Sequence, residues 1–187
     1  MTPGLEAAYA EPHRRYHGRA HIDACLALLD QVDGLSGADR RLLTWAIWWH
    51  DAVYDPKAPD NEARSAEMAR RDLAGLGVGP AEREEVARLI GLTAGHAVAA
   101  GDRLGAILVS IDLAILGATA SAYDAYARDV RAEYAHVPEA AWRTGRARVL
   151  KAFLDAPAIY ADPGFAGRLE AQARANVERE LAGLAQA

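Results

Sequence analysis

The chain has 187 residues, 51% hydrophobic and 25% charged, with 21 Lys plus Arg against 26 Asp plus Glu for a formal net charge of -5. That length is enough to bury one substantial core. The acidic balance excludes a strong field for DNA or RNA, whose binding is dominated by phosphate neutralisation, and leaves local basic clusters for one small phosphorylated ligand.

The opening stretch MTPGLEAAYAEPHRRYH is acidic and polar where a signal peptide has a basic end and then an apolar run, so a cytoplasmic protein is expected. Ile22, Cys25, Leu26 and Leu29 recur at i, i+3, i+4 and i+7, which predicts a helix from about His17 to Gln31 with one core-facing stripe. Cys25 is the single cysteine, which excludes an intramolecular disulfide and cysteine-rich zinc sites. On that stripe it reads as a small buried hydrophobe.

After VDGLSG, Ser36 or Gly37 is placed to cap a second helix carrying Leu42, Trp45, Ile47, Trp48 and Trp49. That helix runs into His50 and Asp51 and breaks at AVYDPKAPD, whose two prolines cannot continue it. Asp60 is the expected N-cap of the next helix, which ends at AGLGVG. Pro80 opens another, with Glu82, Glu84 and Glu85 near its positive end and His96 beyond its last turn.

The most apolar segment, LGAILVSIDLAILGA, is shorter than the roughly 20 apolar residues a membrane span needs and carries Asp112 at its middle. No membrane role is therefore expected. ASAYDAYARDVRAEYAHV reads as an amphipathic helix, Pro138 starts one through Leu150 and Leu154, and Pro163 begins the last, with Leu169, Ala173, Val177, Leu181 and Leu184. No stretch alternates as a strand does. The expected fold is all-α, a single helical domain over residues 1–187, with a C-terminal helix able to pack on a second copy as a homodimer.

Three features carry chemistry. The His50–Asp51 pair alone fits an ordinary helix end, where histidine is favourable at the negative pole. Asp112, flanked by Val109, Ile111, Leu113, Ile115 and Leu116, is predicted to be a buried carboxylate that needs a cation, either an arginine or a metal. His13, His17 and His21 in HRRYHGRAH fall at four-residue steps, so His17 and His21 are possible neighbours on one face and possible metal ligands.

The order of these residues, with PHRRYHGRAHI, WWHDAVYDPKAPDNEARSA, LIGLTAGH, IDLAILG, YARDVRAEY, GRARVLKAFL and EAQARANVERE, resembles the HD superfamily of metal-dependent phosphohydrolases. More closely, it resembles a bacterial group of predicted HD phosphohydrolases. The resemblance implies a helical bundle and hydrolysis of a phosphoester of a small molecule, with a nucleotide the first substrate class to expect. It also implies one or more divalent ions (Mn, Fe, Mg, Ni or Zn) on His21, His50, Asp51 and Asp112. His21 is preferred to His17 because the apolar helix pattern follows it as expected after the first HD ligand.

In such a site an open coordination position activates water, and protein cations stabilise charge on phosphate oxygens. Arg15, Arg131 and Arg146 fall within the matching segments and are the candidate phosphate contacts. His17 and His96 are candidates for substrate contact or a second ion, and Glu62 for receiving a proton. The rival readings are a catalytically silent nucleotide sensor and a di-iron HD oxygenase. Hydrolysis of (p)ppGpp, known in another HD branch, is disfavoured because Ala52-Val53-Tyr54-Asp55 lacks that branch's glutamate.

Overall fold

The computed structural model describes residues 3–186. Among them the chain is all-α, with nine α-helices, one 3-10 helix and no strand. No single helix among these residues is long and apolar enough to cross a membrane. The chain separates into two compact units, Met1–Ile111 and Asp112–Ala187.

The first unit contains α1 (Pro3–Tyr9), α2 (Arg19–Asp30), α3 (Gly37–Trp49), α4 (Asn61–Gly75), α5 (Pro80–Thr93) and all but the last residue of α6 (Arg103–Asp112). Helix α3 is its centre, packing against α2, α4 and α5. The α2 stripe delivers Ile22, Cys25 and Leu29 to the core, where they join Leu43, Ala46 and Ile47 of α3, all buried. Leu73 of α4 and Val86, Leu89 and Ile90 of α5 complete that core.

Ser36 is the N-cap of α3: its side chain accepts a hydrogen bond from Asp39 N at 3.0 Å, which satisfies one of the helix's free donors. Asp60 stands at the N-cap of α4 but makes no capping hydrogen bond with its side chain, contrary to expectation. Its backbone (φ -124°, ψ 22°) is not extended as a capping residue requires. Asn61 closes the preceding loop instead, accepting from Asp55 N at 3.0 Å and donating to Asp55 O at 2.8 Å.

Helix α1 was not expected. It is short and is held by burial of Leu5 and Tyr9, with the Tyr9 hydroxyl donating to Trp48 O at 2.9 Å. Burial first, then the negative charge of Asp51, holds the Tyr9 hydroxyl far above its ordinary range, so it remains a donor.

The second unit holds a 3-10 helix (Leu113–Gly117), α7 (Ala120–Glu133), α8 (Glu139–Asp155) and α9 (Pro163–Gln186). Helix α9 packs on both the 3-10 helix and α8. Asn176, fully buried, donates to Leu116 O at 2.9 Å and Ala118 O at 2.8 Å, satisfying carbonyls that the end of the 3-10 helix leaves open. Gly117 is required by close approach: a Cβ there would lie 2.6 Å from Leu169 Cβ.

Candidate metal centre

The first unit brings His21, His50 and Asp51 together, with one ligand atom from each lying within 4.8 Å of the others. His21 comes from the first turn of α2, while His50 caps α3 and Asp51 follows in the turn. His21 and His50 are buried. Their Nε2 atoms face each other at 3.2 Å, and Asp51 Oδ2 lies 3.3 Å from His50 Nε2 and 3.7 Å from His21 Nε2.

Two details of this cluster bear on a cation. His50 Nδ1 is 2.9 Å from Ile47 O, so Nδ1 donates and, in the neutral ring, Nε2 keeps its lone pair for the centre. Asp51 Oδ2 is buried and has no hydrogen-bond partner, an arrangement that costs free energy unless something cationic meets it. Burial works against the Asp51 charge. With His50 protonated, its positive charge and its contact with the carboxylate, with smaller help from His17 and His21, outweigh burial and hold the carboxyl well below its ordinary range. With the rings neutral, as metal ligation requires, that help is absent.

These residues fit a divalent ion. Ligands on bonds of about 2.1 Å in tetrahedral or octahedral arrays stand about 3.0 to 3.4 Å apart, a range that contains two of the three separations. Paired imidazoles suit Zn, Fe or Ni better than Mg.

Around the cluster, His17 is half-buried and stacks on Tyr54 with ring centres 4.3 Å apart, its own centre 6.2 Å from that of His21. Tyr16 packs on His21 at 4.8 Å. Cys25 lies beneath the His21 ring, with Sγ 3.7 Å from Nε2 and 3.8 Å from Nδ1. Arg15 is exposed. Glu62 is half-buried in the first turn of α4.

His96 lies just past the end of α5 with φ of 54°, the left-handed conformation more often given to glycine, and its N–H bonds Leu92 O at 2.8 Å. Trp49 is core, its Nε1 donating to Asp72 Oδ2 at 3.2 Å, whereas Trp45 and Trp48 are half-buried under the guanidinium groups of Arg41 and Arg19.

Asp112 is the last residue of α6 and the first of the second unit. It is half-buried rather than enclosed, although Ile111 and Leu113 beside it are buried. Arg131 and Arg146 belong to the second unit and are engaged there. Arg131 donates to Tyr134 O, Val137 O and Glu139 Oε2, tying the turn between α7 and α8. Arg146 is buried, with Nε and Nη2 donating to the two carboxylate oxygens of Glu180 at 2.7 and 3.0 Å.

One residue of this region was not singled out from the sequence. Arg14, the neighbour of the exposed Arg15, is buried. Two adjacent arginines in PHRRYH carry no local signal of which one turns inward; only the carbonyls awaiting it decide. Compared with protein-family models, with curated proteins and with solved structures, the chain has no match.

Proposed function

We propose that the chain is a metal-dependent phosphohydrolase acting on a small phosphorylated molecule, with His21, His50 and Asp51 holding a divalent ion. The observation that carries the metal centre is the buried, unpartnered Asp51 Oδ2 facing two imidazole nitrogens. The hydrolytic reading rests on the order of motifs that resembles the HD superfamily. The chemistry supplied by such an ion is activation of water and polarisation of a phosphoryl oxygen.

The chain's own residues have separable tasks in this reading. Ile47 O fixes the His50 ring so that Nε2 is a lone-pair donor. Asp51 brings the negative charge that selects a cation. His17, held against Tyr54 beside the cluster, is a proton carrier or phosphate contact at its rim. Arg15, whose side chain is exposed, and His17 are the proposed phosphate contacts, while Arg131 and Arg146 donate within the second unit. Glu62 and His96 remain candidates for moving the proton or contacting substrate.

The test is phosphate release from nucleotides and other phosphoesters by metal-free protein re-supplied with individual divalent ions. Metal-dependent release is expected, reduced more than about 100-fold by Asp51→Ala, since even residues that only support metal ligands are worth 10–100-fold. An ion bound with no release from any ester would remove the hydrolytic reading and favour a sensor. No binding of any ion would remove the metal centre itself.

A further inference from the structure

Arg14 makes an unusual set of contacts for an arginine in a histidine-rich loop. Its side chain is 1% exposed. Nη1 donates to His17 O at 2.9 Å and to Asp51 O at 2.7 Å, and Nη2 donates to Ala52 O at 3.2 Å. Nε donates to Glu11 Oε2 at 2.9 Å. The guanidinium carbon also lies over the rings of Tyr9 and Tyr54, 5.3 and 5.4 Å from their centres.

The three carbonyls come from the two places where the chain must be irregular to build the centre. His17 O belongs to the loop that enters α2 just ahead of His21. Asp51 O and Ala52 O belong to the turn that aims the His50–Asp51 pair, 37 and 38 residues from Arg14, and no helix ladder joins the two segments. Asp51 O and Ala52 O lie just past the end of α3, where carbonyls lack intrahelical partners, and one planar fork satisfies both together with His17 O.

From these contacts we infer that Arg14 is the positioning residue of the metal centre, fixing the entrance to α2 and the turn after α3 as one frame for His21, His50 and Asp51. Its fork is used in full geometry rather than as a point charge, so lysine is not equivalent. The charge itself is accounted for by Glu11, whose side chain is 43% exposed. Only the spread of the donors lets the group span His17, Asp51 and Ala52 together. This inference rests on the metal reading above.

Arg40 supplies a control from the same unit. It too clamps backbone carbonyls, donating to Leu29 O at 2.8 Å and Val32 O at 2.7 Å, but those lie at the far end of α2 and not at the ligands. Wild type, Arg14→Lys and Arg40→Lys would be titrated with Zn2+ and with Co2+ against a competing chelator, well below each protein's melting temperature. The visible spectrum of the Co2+ form reports ligand geometry directly.

Arg14→Lys is expected to weaken ion affinity about 10–100-fold, as loss of groups that orient metal ligands does, and to change the Co2+ spectrum. Arg40→Lys is expected to lower the melting temperature while leaving both readings unchanged. If wild type binds and Arg14→Lys matches it in affinity and spectrum, Arg14 is merely a structural clamp. Equal losses in both lysine variants would overturn the inference in the same way. If wild type binds no ion, the metal reading falls and takes this inference with it. Should Arg14→Lys fail to fold, Glu11→Gln replaces it: loosening Nε at that half-exposed pair is expected to weaken affinity about threefold, and an unchanged affinity overturns the inference.

Discussion

In the second unit, Glu180 accepts from Arg146 on both carboxylate oxygens and from Tyr123 at 2.5 Å, while Tyr126 Oη lies 3.4 Å from the same arginine. In the first unit, Asp51 Oδ2 is buried with two imidazole nitrogens nearby and no hydrogen bond. Both are buried charged clusters, and desolvation acts on both. One is closed by its own donors; the other brings three possible ligand atoms within 4.8 Å of one another. A buried charge must be paired, so the Glu180 cluster belongs to the fold, whereas the Asp51 cluster is one that could hold a metal ion.

That contrast is broken most directly in the closed cluster. Glu180→Ala leaves the Arg146 guanidinium buried with its carboxylate gone and removes the Tyr123 acceptor. Loss of one partner of a buried pair costs about 3 kcal/mol or more, read as a lower urea midpoint at unchanged slope. Ion binding by the first unit should not change. A loss below about 1 kcal/mol, the scale of an exposed pair, would mean that water replaces the carboxylate, and the cluster would not be closed by its own donors.

The open cluster should respond in the opposite way. In metal-free protein at pH 8, above the ordinary imidazole range, no cationic ring offsets the burial of the Asp51 charge and its Oδ2 has no hydrogen-bond partner, so Asp51→Asn should leave the melting temperature level or raise it. Wild type with Zn2+ at 100 times its Kd should gain about 2.7 kcal/mol of stability, and the variant should gain none. Calorimetry with and without the ion checks both halves. A metal-free variant as damaged as Glu180→Ala would show that the first cluster, too, is a self-sufficient part of the fold.

The helices were legible because burial follows their period. The stripe of Ile22, Cys25 and Leu29 is core, and Pro80, Pro138 and Pro163 stand at helix starts, where a missing N–H is harmless. The placement of His50 and Asp51 just past α3 was legible for the same reason, since AVYDPKAPD cannot extend a helix. What escaped depends on partners far along the chain. Helix α1 is only seven residues long and owes its order to burial of Leu5 and Tyr9. After Asp112 the helix tightens into a 3-10 turn, where Tyr160 donates to Leu113 O and Asn176 to Leu116 O, 47 and 60 residues away. Arg14 belongs with these, because its acceptors are backbone carbonyls that no side-chain pattern reveals.

A third charged pair, at the surface of the first unit, gives the smallest effect and calibrates the other two. Asp102 accepts from Arg88 Nη1 at 2.6 Å and from Gly105 N at 3.0 Å, so it both pairs with a cation and caps α6. The bonds from Arg88, joined by that from Gly105, outweigh partial burial and hold the Asp102 carboxyl below its ordinary value. A folded pKa below the unfolded value of about 3.9 means that the stabilisation is complete above that value. It is lost as pH falls through the folded one. At pH 7, Asp102→Ala should cost about 1 kcal/mol, as loss of a cap does, and its stability should converge on wild type in acid. Asp102→Asn keeps a capping oxygen and should lose less at pH 7. Stability profiles from pH 7 to 2 check this: parallel curves for wild type and Asp102→Ala would mean that the carboxylate's charge contributes nothing. The worth of this pair would then lie in its geometry alone, because water reaches Arg88 when the carboxylate is gone, as it does not reach Arg146.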